Sequence, residues 1–87
     1  MNKKFAVMFF ETEVELGVSD NPNKWVNTKN YYYDNGREAL ECYANTPCPA
    51  SQFIEAEDDF ELKCKMGEMM NNFRDEKWLE ENLYPYL

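Results

Sequence analysis

The chain contains no histidine. The side chain whose ordinary pKa suits proton transfer near neutral pH is therefore missing, and with it the commonest general base and metal ligand. Cys42, Cys48 and Cys64 have no imidazole to raise a thiolate against, and the carboxylates are too numerous for their proximity to mean anything. A catalytic role is not expected. The spacing from Cys42 to Cys48 is longer than the two-to-four-residue gap of common zinc knuckles, so no metal and no cofactor is expected either.

Long hydrophobic runs are also missing. The amino terminus, MNKKFAVMFFETE, opens with two lysines as a secretory leader would, but its apolar run covers only Phe5 to Phe10 and an acidic stretch follows without a small-residue cleavage site. It is expected to stay in the mature protein. Nothing approaches the roughly 20 apolar residues of a membrane helix, so the expectation is a soluble, cytoplasmic protein with no membrane partner. Three cysteines cannot all pair within one chain, and reduced thiols suit that compartment.

Positive charge is scarce. Nine lysines and arginines stand against 17 acids, a net charge of −8. Residues 1–33 are balanced, with Lys3, Lys4, Lys24 and Lys29 against Glu11, Glu13, Glu15 and Asp20, so the whole imbalance lies in residues 34–87. Direct binding of nucleic acid is disfavoured, because that affinity comes largely from bases displacing phosphate counterions. Tyr31, Tyr32 and Tyr33 beside Trp25, Lys24 and Lys29 offer rings for base stacking, but strand alternation commits at least one of their faces to ordinary core. A basic protein surface is the better-matched partner.

What the chain has in quantity is aromatic side chains: six Phe, six Tyr and two Trp among 87 residues. Rings supply much of the buried area available to one small domain spanning residues 1–87, and any surplus left outside marks an interface. KFAVMFFETEVEL, residues 4–16, starts apolar on both faces and then alternates, with Met8, Phe10, Thr12, Val14 and Leu16 on one side. WVNTKNYYY supplies a second strand after the turn-forming GVSDNPNK, which predicts an antiparallel hairpin over residues 4–33. Asn35 is placed to cap a short helix with Ala39, Leu40, Tyr43 and Ala44 as its buried stripe, Glu38 reaching back to the cap, and Asn45 and Pro47 as its stop.

Residues 50–67 admit two readings. The strict alternation of FELKCKM favours a strand paired with SQFIEA around a turn at Asp58 and Asp59, while the residue types favour one helix from Ser51 to Phe73. The hairpin is preferred, with Gly67 breaking either pattern. Beyond it EMMNNFRDEKWLEENLY is helical, a fresh start at Asp75 and Glu76, Met69, Met70, Phe73, Leu79 and Leu83 inward, and Pro85 at its close. The expected fold is α+β: two antiparallel hairpins with two helices packed on one side, in the order β-β-α-β-β-α.

The candidate partner-binding residues are acidic. Glu55, Glu57, Asp58, Asp59 and Glu61 crowd into seven positions, and Asp75, Glu76, Glu80 and Glu81 recur near the end. On a strand, Glu55 and Glu57 share a face roughly 6.7 Å apart. Glu76 and Glu80, one helical turn apart, repel each other unless a partner relieves them. The opposing explanation is a solvated surface, in which Asp75 and Glu76 favour a helix start and Lys63 and Lys65 neutralise Glu61.

In composition, small, acidic and free of histidine, the chain resembles phage-encoded inhibitors that occupy the nucleic-acid groove of a host enzyme, anti-CRISPR and anti-restriction proteins among them. That resemblance implies a non-enzymatic DNA mimic that occludes a basic surface. The alternative expectation is a structural or assembly protein, a homodimer whose acidity serves solubility only.

Overall fold

A computed structural model describes residues 3–45 and 50–86; Cys48 and Pro47 lie outside them. The class is α+β, with three antiparallel strands in one open sheet of order β2-β1-β3 and helices on both of its faces. The central strand β1, Lys4–Thr12, accounts for this layout. Its Ala6, Met8 and Phe10 belong to one core and its Phe5 and Val7 to another, so both faces need cover. The expectation of helices on one side is thereby corrected.

The hairpin over residues 4–33 is present. β2, Trp25–Tyr33, runs antiparallel to β1 from Phe5 opposite Tyr33 to Thr12 opposite Trp25, with a bulge at Thr28. Asn27 holds the bulge closed, its Nδ2 donating to Phe9 O and to Asn30 Oδ1, each at 2.9 Å. Tyr33 reaches the smaller core, whereas Tyr31 and Tyr32 are exposed.

The alternation expected to continue to Leu16 ends at Thr12 because a helical turn begins there. Glu15 N donates to Thr12 Oγ1 at 3.1 Å, and Glu15 Oε1 accepts in return from Thr12 Oγ1 at 3.0 Å and Thr12 N at 3.3 Å. This reciprocal pair is the capping box of a T-x-x-E sequence. Leu16 N closes the turn on Thr12 O, and Gly17, at φ +72, ends it in the left-handed region. Val14 and Leu16 are consequently exposed rather than in register with Phe10.

The helix α1, Gly36–Ala44, is capped by Asn35, whose side chain accepts from Arg37 N at 2.8 Å. It carries the chain from β2 across β1 to the opposite edge. Gly36 lies so close that an added Cβ would sit 2.9 Å from Phe5 Cζ. The contact seam is therefore made of small residues, Gly36, Ala39 and Cys42, with Ala39 fully buried. Of the expected stripe only Ala39 faces inward; Leu40 is 54% exposed, and Tyr43 and Ala44 are also exposed.

β3, Ser51–Ala56, pairs antiparallel with Lys4–Phe9 of β1, so SQFIEA is a strand as expected but its partner is β1. The second hairpin does not form. FELKCKM lies within α2, Asp59–Asn72, started by Asp58, which accepts from Glu61 N at 2.8 Å. Leu62, Met66, Met69, Met70 and Phe73 recur at helical spacing and meet the larger core, while Phe60 is 78% exposed and Cys64 lies on the surface. The two-residue alternation was thus incidental, and the alternative of one helix from Ser51 to Phe73 holds from Asp59 onward and fails over Ser51–Ala56, which is strand. α2 passes through Gly67, which is exposed and breaks nothing.

The fresh start at Asp75 is present, the cap of α3, Glu76–Asn82, accepting from Lys77 N at 3.0 Å and Trp78 N at 3.4 Å. Leu79 and Leu83 are buried before a final turn, Tyr84–Tyr86, containing Pro85. Phe73 anchors this side: it stacks on Phe10 with ring centroids 3.7 Å apart and meets Trp25 and Trp78 edgewise or tilted.

Candidate partner-binding surface

The nine expected acids fall into two groups. Glu55, Glu57, Asp58, Asp59 and Glu61 come together where β3 passes into α2, beside the start of β1. Asp75, Glu76, Glu80 and Glu81 begin beyond the other end of α2, whose 14 residues span about 21 Å. The fold therefore gathers each group but does not merge them.

The first group is largely engaged within the fold. Lys3 Nζ lies 3.3 Å from Glu55 Oε1 and 4.0 Å from Glu57 Oε1. Lys65 Nζ lies 3.1 Å from Glu61 Oε1, one helical turn away, and also donates to Glu55 O at 2.7 Å, tying α2 to β3. Asp58 is used as a helix cap. Lys4 completes the belt through a 2.7 Å bond to Asp34. That bond and the charge of Asp34 hold the Lys4 ammonium above its usual pKa, with a smaller contribution from Asp59. Such exposed pairs hold little stability individually, yet they interleave positive charge with negative across this end.

The second group is different. Asp75 is used as a cap, but Glu76, Glu80 and Glu81 are exposed on α3 and enter no ion pair among the described residues. α3 thus presents carboxylate to solvent with no cation at ion-pair distance among the described residues, although Lys77 lies on the same helix and Arg74 lines one cleft with Glu76.

A feature not expected from the sequence lies at the end of β1 opposite the first group. Among the described residues β3 pairs with β1 only as far as Phe9, opposite Ser51, and none pairs with Phe10 to Thr12 on that side. A cleft of about 880 Å³ opens there, walled by Phe10, Trp25, Tyr84, Glu11 and Glu15 and reaching Ser51. Tyr84 is held over it by a bond from its hydroxyl to Asn23 Oδ1 at 3.4 Å. A smaller cleft of about 590 Å³ lies on the other side of Trp25, between Glu13, Lys24, Arg74 and Glu76. The T-x-x-E spacing at Thr12 was the available signal, since a capped turn there ends the strand and folds Glu15 back beside it.

Among the described residues no three acids or cysteines converge as a metal-holding group, and no helix is long and apolar enough to cross a membrane. Comparison with protein families, with curated proteins and with solved structures gave no match.

Proposed function

We propose that the protein is a non-enzymatic binding protein that docks on a positively charged protein surface of the kind that holds nucleic-acid phosphates. The observation that carries this reading is α3, where Glu76, Glu80 and Glu81 are exposed and enter no ion pair among the described residues, with Lys77 the one cation on the helix. Like charges one turn apart destabilise the free helix by a few tenths of a kcal/mol per pair, and opposing lysines or arginines relieve that repulsion. Glu55, Glu57, Asp58, Asp59 and Glu61 then serve mainly the fold, adding negative potential without forming the contact.

In this reading the protein is an inhibitor of the phage type, acting in the cytoplasm by covering the groove of a nucleic-acid enzyme. Replacing Glu76, Glu80 and Glu81 together by Lys is expected to weaken a nuclease-resistant complex captured from lysate by more than about tenfold, a modest part of the span that charge pairs at interfaces reach. Helix content, followed by circular dichroism, should stay unchanged. Capture that survives the triple reversal rejects the assignment.

The exposed Leu40 and Tyr43 on α1 favour a second reading, an assembly protein that dimerises through this apolar surface. The outer edge of β2 is a poor seam for such a dimer, because the bulge at Thr28 and the exposed Lys29 both oppose strand addition.

A further inference from the structure

Resting on the reading of a basic partner, we propose that the cleft beside Thr12 is the pocket that receives one arginine side chain of that partner. Its volume, about 880 Å³, falls in the range of roughly 300–1,000 Å³ usual for ligand pockets. Trp25 and Tyr84 bring half-buried aromatic rings to the lining, backed by Phe10, whose own ring is stacked on Phe73, and a planar guanidinium stacks well on such rings. Glu11 and Glu15 add two carboxylates against the single cation Lys29, so the lining as a whole is negative.

The two carboxylates are differently placed for this task. Glu15 is held by its own capping box, with Oε1 committed to Thr12, which fixes the carboxylate beside the cleft without neutralising it. Glu11 is exposed on β1 and enters no ion pair among the described residues. A guanidinium carries donors in a flat fork that one carboxylate can accept two at a time, whereas an ammonium is a strongly hydrated point charge that stacks less well. Rings together with carboxylates therefore select arginine over lysine and over an anion.

The test uses the full chain and the blocked tripeptide acetyl-Gly-Arg-Gly-amide, with its citrulline counterpart as the neutral isostere, followed by two-dimensional NMR. The arginine peptide is expected to shift the Trp25 indole N–H and the amides of Glu11 and Thr12 in a saturable manner, and the citrulline peptide is expected to leave them in place. Glu11→Gln should weaken the binding at least about threefold without moving the rest of the spectrum. The variant with Lys at 76, 80 and 81 should bind the peptide within about twofold of the parent, which separates the cleft from α3. Shifts confined to α3, equal shifts from the citrulline peptide, or no saturable shift at the cleft would each overturn the pocket. None of these would bear on whether α3 captures a partner, since that is read from the charge-reversal experiment.

Discussion

Tyr33 shows how one contact sets a side chain's chemistry. The Cys42 side chain is hydrogen-bonded to it across the seam between β2 and α1, and this bond, followed by burial and the nearby Cys42 and Tyr31 groups, raises the phenol above its ordinary 10.0. As pH climbs past 10.0 the unfolded chain loses this proton first, so the folded state, still holding it, becomes less favoured until the folded pKa is passed. Lys4, raised by Asp34, acts in the same direction: its contribution is complete below 10.5 and is lost as pH rises through its folded value. Cys42→Ala should move the absorbance titration of one tyrosine down toward 10.0, and a titration identical to the parent would refute the contact. Trp25 is the contrasting case, its Nε1 buried with no hydrogen-bond partner among the described residues. A buried unpaired donor costs about 1–3 kcal/mol, which the packing of the indole against Phe73 must offset.

At the scale of elements, a helix passing through a glycine invites a direct test. Gly67 lies in the middle of α2, and an added Cβ would meet nothing within 4 Å. Gly67→Ala should therefore raise stability by about 0.5–1 kcal/mol, seen as a higher thermal midpoint. An unchanged or lower midpoint would mean that α2 is not a continuous helix. The same element shows what could be read in advance. The first hairpin, the caps at Asn35 and Asp75 and the inward Phe73, Leu79 and Leu83 were legible because period and capping chemistry agreed there. FELKCKM was not, since Phe60, Leu62, Cys64 and Met66 match a strand period while Leu62, Met66 and Phe73 match a helical one. The Asp58 cap and the burial of Leu62 and Met66, but not of Phe60 or Cys64, decided it. α1 was misread by one step around its axis, because a helix lying close on a sheet needs small residues in the seam and leaves Leu40 outside. The acids were legible as candidates; which of them stay unmatched depends on Lys3 and Lys65, brought near only by the strand order.

For the whole molecule, the charge of −8 is not one patch. Lysines are paired with carboxylates where β1 begins, while the acids of α3, at the far end of α2, enter no ion pair among the described residues. In the proposed reading α3 is the side that a cationic surface approaches. Attraction between exposed charges is screened over about 10 Å at 0.1 M salt and about 3 Å at 1 M, whereas contact between apolar surfaces is not. The most direct measurement is the dissociation constant of the purified complex across a salt series from about 0.05 M to about 0.5 M, in which those screening lengths shrink severalfold. Docking through α3 requires affinity to fall by at least about tenfold over that range, with the Lys-substituted α3 variant weak and flat throughout. An affinity indifferent to salt, or a chain that captures only itself through Leu40 and Tyr43, would contradict it.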